Sequence, residues 1–172
     1  MSVDFLAKAG SGDLTCVPEI SHLDGDAVVC TDGTRVEADV VIYATGYNMR
    51  FPFFDDPELQ PDEDHRLPLF KRMLKPGVDN LYYAGLAQAS PTIVNLAEQQ
   101  SKLIARHLTG HYELPDADTM KSTVDADENK HLGQYYSTPR HTIQVDFARY
   151  VKDLHKEIEA GTKRARSKAA SR

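Results

Sequence analysis

The stretch Asp39-Val-Val-Ile-Tyr-Ala-Thr-Gly-Tyr47 carries the strongest structural signal in this sequence. β-Branched and aromatic residues run through Val40–Tyr43 and then give way to small residues. That pattern predicts a buried strand that ends in a turn. Ligands of open α/β sheets bind at the carboxyl ends of strands, where small residues permit a close approach. Thr45 and Gly46 are therefore candidate cofactor contacts.

A second strand-end pattern, Asn80-Leu-Tyr-Tyr-Ala-Gly-Leu86, lies downstream. Its apolar Leu-Tyr-Tyr segment predicts a short strand, and the residues after it predict a helix with clear ends. Ser90 is a good N-cap, Pro91 suits the first helical position and Gly110 supplies the C-terminal stop. The helix is therefore predicted over about residues 91–109.

The start of this predicted helix has the properties of an anion-binding site. Its free backbone N–H groups and the positive end of its dipole stabilise negative charge, such as that near N1 and the C2 carbonyl of a reduced flavin. We expect Gly85, Leu86, Gln88 and Thr92 to face the cofactor, with Gln88 as a hydrogen-bonding group at the same edge. The residues alone leave an ordinary strand–loop–helix unit as an equal alternative.

The rest of the sequence predicts a β-hairpin, a long loop and further helices. Turn signals predict the hairpin through residues 17–38, feeding the apolar strand. Residues 48–80, rich in proline and acidic side chains, predict an irregular loop. Polar helices are predicted at about 116–130 and 145–160. The basic segment 161–172 is expected to be a disordered tail.

Composition excludes several classes of function. A formal net charge of −6 over 172 residues argues against a general nucleic-acid binder, and no apolar run is long enough to span a bilayer. No signal-peptide pattern is present, so a cytoplasmic location is expected. Cys16 and Cys30 lack CxxC spacing and are interpreted as reduced core thiols. The histidines and acidic residues show no ligand-like or nucleophile-like spacing, so neither a metal site nor a catalytic residue is predicted.

The segment Val36–Gly110 resembles the C-terminal third of flavin-containing monooxygenases, which are related to Baeyer–Villiger monooxygenases. Four motifs occur in the family's order over most of residues 13–160. They are Tyr43-Ala-Thr-Gly-Tyr47, similar to the family's F-A-T-G-Y element with Tyr in place of Phe; Leu81-Tyr-Tyr-Ala-Gly-Leu-Ala-Gln88, similar to its second hallmark; Leu96-Ala-Glu-Gln-Gln-Ser101, which resembles its A-E-x-Q-S helix; and Ile143–Phe147 with Tyr150, which resembles its C-terminal element.

The resemblance implies an α/β fold that forms the C-terminal part of a flavoprotein with two dinucleotide-binding domains. It consists of a β-hairpin, a parallel-sheet strand and C-terminal helices. Residues 1–47 are then the end of the NADP-binding lobe, and residues 48–110 the C-terminal part of the FAD-binding lobe. Residues 111–160 are a helical extension, before the basic tail at 161–172.

The resemblance also implies a reaction, with FAD and NADP(H) as cofactors. NADPH reduces the flavin, and O2 adds to form a C4a-hydroperoxyflavin. This species oxygenates a soft nitrogen or sulfur nucleophile, as in N,N-dimethylaniline monooxygenases, or a ketone in related enzymes. The partners implied are a small nucleophilic substrate and O2. Because the sequence contains no G-x-G-x-x-G, we expect a portion of a longer enzyme, or one half that works with an N-terminal partner. Residues 1–172 alone are expected to be inactive.

Two other interpretations stay open. One is a non-catalytic interaction module that retained the fold, and the other is part of a two-dinucleotide flavin reductase. In such reductases an Asp usually follows the glycine after the short strand and holds the ribityl chain, whereas Leu86 follows Gly85 here. The absence of a CxxC pair also favours the monooxygenase over the reductase.

Overall fold

The computed structural model describes residues 4–89, 92–132 and 142–171. These residues form an α/β protein in two compact units, Met1–Thr45 and Gly46–Arg172. No helix in the described ranges is long and apolar enough to cross a membrane.

The first unit is a short helix followed by a three-stranded antiparallel sheet. The elements are α1 (Phe5–Ser11), β1 (Ile20–Asp24), β2 (Ala27–Cys30) and β3 (Arg35–Glu37). The strands lie in the order β1-β2-β3, and the central strand is the most buried. Gly25 and Gly33 make the two turns with positive φ angles. The hairpin predicted through residues 17–38 is confirmed, with a third strand added. Both cysteines are free thiols, but only Cys30 is in the core, and Cys16 is exposed.

The strand predicted at Val40–Tyr43 is not formed. Residues 40–50 are irregular, and Val40 and Ile42 are 76% and 83% exposed. A β-strand is defined by hydrogen bonds to a neighbouring strand, and a buried strand needs a neighbour on both sides. Neither of the sheets formed by the described residues includes this segment. The apolar pattern is therefore present without the partners that would turn it into a strand.

The second unit consists mainly of three helices. The elements are β4 (Gln88–Ala89), α2 (Ile93–Leu108), α3 (Ala117–Leu132), β5 (Gln144–Val145) and α4 (Phe147–Ala170). The three predicted helices are confirmed, and Gly110 follows α2 with a φ of +74°. Helix α2 begins after Thr92, its N-cap; Ser90 and Pro91, which were predicted to start it, lie outside the described residues.

The strand predicted at Leu81–Tyr83 is wrong, since these residues are irregular. Tyr83 is held instead by two bonds to distant backbone carbonyls. Its N–H donates to the Met73 carbonyl (2.8 Å), and its hydroxyl donates to the Leu59 carbonyl (3.0 Å). The nearest strand is β4, which pairs in parallel with β5 in the register Gln88↔Gln144. The apolar Leu-Tyr-Tyr segment that carried the strand signal is thus not part of β4.

The main core lies between the three helices and the hairpin turn that contains Phe70. Its buried members are Phe70, Met73, Leu74, Leu103, Tyr112, Met120, Val124, Leu154 and Ile158. A smaller cluster of Leu67, Leu69 and Tyr83 is covered by rings of the long loop, Phe51 and Phe54. This loop is irregular, as predicted, apart from a 3-10 turn at Pro57–Leu59.

The basic tail that was expected to be disordered is helical, because α4 continues to Ala170. Gly161 lets the Tyr112 ring lie directly on the helix surface. The Arg164 side chain donates to the Glu113 carbonyl (3.0 Å), and Lys168 pairs with the Glu113 carboxylate. The expectation considered only composition, whereas these contacts with the preceding loop stabilise the last turns of the helix.

Candidate functional site

The turn before α2 is built around a glycine in the left-handed conformation. Gly85 has a φ of +80°, and its N–H donates to the side-chain oxygen of Gln100 over 2.7 Å. A Cβ added at Gly85 would lie 3.8 Å from the Ile93 side chain, which is an ordinary contact. The backbone angle, and not a lack of space, therefore requires glycine here.

Gln100 begins a chain of hydrogen bonds that joins three distant segments. Its side chain is fully buried, and its Nε2 donates to the Tyr150 hydroxyl over 2.9 Å. That hydroxyl donates in turn to the Lys71 carbonyl over 2.8 Å. Burial raises the pKa of Tyr150 well above its usual value, so its hydroxyl keeps the proton that it donates. We call Gly85, Gln100, Tyr150 and Lys71 the Gln100 chain.

The far end of the Gln100 chain is a strained turn. Lys71 and Arg72 have φ angles of +50° and +58°, which non-glycine residues adopt at a cost of about 1–3 kcal/mol each. The turn is closed by a bond from the Met73 N–H to the Phe70 carbonyl (3.1 Å). Lys71 also pairs with Asp127 (3.2 Å). Buried neighbours and the bond from Tyr150 thus hold two residues in an unfavourable conformation.

A pocket of about 90 Å³ that is open to solvent lies beside this turn, and α3, β5 and the start of α4 form its other walls. Its lining carries charges of both signs, among them Arg72, Glu128 and Arg149. The Arg72 guanidinium donates to the Thr142 carbonyl (3.3 Å), and burial lowers its pKa while Glu128 and Asp127 oppose that shift. This volume is well below the roughly 300–1,000 Å³ that is typical of small-molecule pockets.

A second, open groove of about 590 Å³ lies along the long loop. Gln60 braces its wall, because its side chain accepts from the Phe51 N–H (2.9 Å) and donates to the Phe51 and Phe54 carbonyls. On the other side, the Met49 N–H donates to Nδ1 of His65 over 3.2 Å. The loop over residues 48–80, which was predicted to be irregular, is therefore held in place by specific side-chain hydrogen bonds.

Four of the six predicted cofactor residues, Gly85, Leu86, Gln88 and Thr92, lie close to the start of α2 in the sequence. That they face a cofactor stays a prediction. Leu86 follows Gly85 and is half-buried against the Leu67–Tyr83 cluster. Gln88 lies in β4 with an exposed side chain, and its N–H donates to the Ile143 carbonyl over 2.7 Å. Thr92 is exposed at the N-cap and makes no side-chain capping bond.

The other two predicted residues, Thr45 and Gly46, lie in exposed chain between the two units. Thr45 is the last residue of the first unit and Gly46 the first of the second. Gly46 has a φ of +89°, the left-handed conformation that favours glycine. Their contact with a cofactor stays a prediction.

Sequence reasoning missed the role of the Gln100 chain. In the sequence analysis, Gln100 and Tyr150 were noted only as members of motifs that resemble those of the family. One signal was available, because Leu96, Gln100 and Leu103 share one face of α2 and all three are fully buried. A polar residue inside an apolar helical stripe calls for a buried partner. Which partner it has depends on Tyr150, 50 residues away.

No group of three or more His, Cys, Asp or Glu side chains is arranged to hold a metal ion in the part of the chain that the structure describes.

Comparison with known proteins identifies the family. The sequence model of the flavin-binding monooxygenase-like family matches residues 4–165. The chain belongs to this family. It is 30% identical over 152 residues to dimethylaniline monooxygenase (N-oxide-forming) 2 of Rattus norvegicus, which covers 87% of this chain and 28% of that protein. It is 26% identical to senecionine N-oxygenase of Tyria jacobaeae over 85% of this chain and 32% of that protein.

A solved structure also supports the membership of this chain in the flavin-binding monooxygenase-like family. The S-allyl-L-cysteine S-oxygenase from Allium sativum superposes with a TM-score of 0.63 at 28% identity, over 78% of this chain and 31% of that one. The chain therefore spans about a third or less of the length of these relatives.

Proposed function

We propose that the chain is the C-terminal portion of an FAD- and NADPH-dependent monooxygenase that oxygenates soft nitrogen or sulfur nucleophiles with O2. The observation that carries the proposal is the turn and helix start over residues 85–92 in a chain of this family. Relatives named for N-oxide formation, N-oxygenation and S-oxygenation favour nitrogen and sulfur substrates over ketones.

The residues at the start of α2 fit one edge of a flavin. The left-handed Gly85 leaves the turn without a side chain, and Gln88 offers an exposed amide. Thr92 makes no side-chain capping bond. We propose that the first backbone N–H groups of α2 face the anionic edge of the flavin. In this proposal Leu86 and Thr92 also face the flavin, and Thr45 and Gly46 contact it from the irregular segment that follows Val40–Tyr43.

A bound flavin would supply the chemistry, namely oxygenation of a substrate lone pair by one atom of O2 at the expense of NADPH, with the other atom leaving as water. The chain's own part is to position the flavin and to stabilise negative charge at the edge facing α2. We assign no catalytic residue to this chain. The phosphate-binding loops for FAD and NADPH are proposed to belong to another part of the enzyme, either the same polypeptide or a partner.

The domain boundaries follow from this proposal. Residues 1–47 end the NADP-binding lobe, residues 48–110 belong to the FAD-binding lobe, and residues 111–160 are a helical extension. The proposal that the extension stabilises the FAD lobe is supported by the Gln100 chain, which links α2 to α4 through Tyr150.

The test is to tag the C-terminus of the protein in its natural host and to purify it with everything that remains bound. A flavin absorbance spectrum is expected. So is NADPH consumption that depends on a tertiary amine or a thioether, with a product one oxygen atom heavier by mass spectrometry. Tagged protein that is folded but carries no flavin and forms no oxygenated product would favour the interaction-module alternative.

A further inference from the structure

We propose that Gln100 and Tyr150 are positioning residues that hold the Gly85 turn in the conformation that receives the flavin. The inference rests on the proposed function, in which this turn faces the cofactor. The inference goes beyond the proposed function because it assigns a role to two residues that are not cofactor contacts and states which way the Gly85 N–H points.

The burial of Gln100 requires an explanation, because a leucine would fill the same place in the apolar stripe. A buried primary amide is costly unless both its oxygen and its nitrogen are hydrogen-bonded. Here the oxygen accepts from Gly85 (2.7 Å) and the nitrogen donates to Tyr150 (2.9 Å). The first of these bonds is made to the backbone of the turn, at the one residue whose φ only glycine adopts easily.

Tyr150 and Gly85 fix the orientation of the Gln100 amide from its two ends, since the Gly85 N–H can only donate to the amide oxygen. The hydroxyl has a single proton, and it donates that proton to the Lys71 carbonyl over 2.8 Å. It can therefore only accept from Gln100, which places the NH2 group toward Tyr150 and the oxygen toward Gly85. Tyr150 thus acts on the turn through Gln100.

The same geometry excludes the Gly85 N–H as a cofactor ligand, since it points toward α2 and is already bonded to Gln100. Contacts to the flavin from this region are left to the residues after it and to the first N–H groups of α2. Gln100 and Tyr150 keep these groups in place before the flavin arrives. Such preorganisation raises affinity by removing an ordering cost from the binding step.

The experiment uses the full chain labelled with 15N, with two NMR readouts. The first is hydrogen exchange at the Gly85 amide without flavin. The second is an FAD titration followed at the Leu86, Gln88 and Thr92 amides, which measures binding even when it is weak. The main variant is Gln100→Met, which keeps length and volume. Its control is Gln99→Met, on the same helix, where the described residues that bond to the Gln99 side chain are Lys102 (3.1 Å) and His155 (3.2 Å).

We expect Gly85 exchange to rise at least about tenfold in Gln100→Met, and the FAD dissociation constant to rise about tenfold, as loss of one buried hydrogen bond predicts. Gln99→Met is expected to change neither. Gln100→Glu is expected to keep the Gly85 protection, because a carboxylate oxygen still accepts from the N–H. Exchange at Leu103 and Leu154 reports global opening and separates the local effect from a loss of stability.

If Gln100→Met does not fold, the variant Tyr150→Phe tests whether these hydrogen bonds preorganise the Gly85 turn for flavin binding. Its control is Tyr82→Phe, which removes another part-buried hydroxyl, bonded to His107 over 2.7 Å. We expect FAD affinity to fall several-fold in Tyr150→Phe and to stay unchanged in Tyr82→Phe.

Two results would overturn the inference while the proposed function stands: Gly85 exchange that does not change in Gln100→Met, or unchanged FAD affinity in the folded Gln100 and Tyr150 variants. If the unaltered chain shows no FAD-dependent shifts at Leu86, Gln88 and Thr92 even at millimolar FAD, the proposed flavin contact fails and this inference falls with it.

Discussion

Replacing Gly161 by alanine should destabilise the second unit, although alanine is normally the better residue inside a helix. Gly161 lies in the middle of α4, where the exchange for alanine ordinarily stabilises by about 1 kcal/mol. At this place, however, the added Cβ would lie 2.0 Å and 2.1 Å from two carbons of the Tyr112 ring. No rotation of the methyl group relieves such an approach, so the ring or the helix must move.

The magnitude follows from what Tyr112 contributes. The ring is 1% exposed, and its hydroxyl donates to the Glu157 carboxylate over 2.8 Å. Burying an aromatic side chain removes roughly 150–250 Å² from water, worth about 4–6 kcal/mol at 25 cal/mol per Å². A partial shift of a packed core costs about 1–3 kcal/mol. An approach of 2.0 Å requires a shift at the upper end of that range. After subtraction of about 1 kcal/mol for helix propensity, Gly161→Ala should lower the free energy of unfolding by roughly 2 kcal/mol.

The assay is urea unfolding followed by circular dichroism at the helical band, because α2, α3 and α4 contain most of the helix. The control is Gly10→Ala in α1, where no atom lies within 4 Å of the added Cβ; no loss of stability is expected there. In a Tyr112→Ala background the clash is gone, and Gly161→Ala should then stabilise by up to about 1 kcal/mol. A Gly161→Ala protein that is as stable as the original chain would refute the packing argument.

Three further predictions concern the Gly85 turn, the Asp116 cap at the start of α3 and the activity of residues 1–172 alone. Gly85→Ala should lower flavin occupancy of the complete enzyme through strain at a φ of +80°, costing about 1–2 kcal/mol; full occupancy by absorbance would contradict it. Hydrogen bonds from the Thr119 N–H (2.8 Å) and hydroxyl hold the pKa of Asp116 below its usual value. The Asp116 carboxylate therefore stabilises the folded state above about pH 3.9, the unfolded-state pKa, and this stabilisation is lost as the pH falls through the lower folded-state pKa. Asp116→Ala should therefore reduce stability at pH 7 and much less at pH 2. Equal losses at both pH values would exclude the cap as the cause. Residues 1–172 alone should consume NADPH no faster than free flavin does when FAD and a thioether are present, and recovery of sulfoxide above that background would disprove this.

Short-range signals in the sequence determined much of the secondary structure. The turns at Gly25 and Gly33 and the end of α2 at Gly110 depend on a φ angle that glycine adopts without strain, so neighbouring residues suffice to place them. The apolar stripe of α2 was likewise readable, since its period is set by the helix itself. The family motifs belong here too, because they are local in sequence.

Pairing and packing depend on residues far apart in the sequence, and there the sequence-based predictions failed. The apolar pattern of Val40–Tyr43 predicts a strand, yet no described strand lies beside it to accept its hydrogen bonds. The tail at 161–170 has a composition typical of disorder, yet it is helical because Tyr112 packs on Gly161. Composition and periodicity contain no information about such partners.

The candidate site divides in the same way. The sequence by itself determined that a glycine turn precedes a helix at residues 85–92 and that this pattern suits an anionic cofactor edge. Only the tertiary structure showed that the Gly85 N–H is bonded to Gln100 and that Tyr150 helps to orient this amide from 50 residues away. The physical reason is that a turn's φ angle is a local property, whereas the satisfaction of a buried amide depends on which distant groups the fold brings within hydrogen-bond distance.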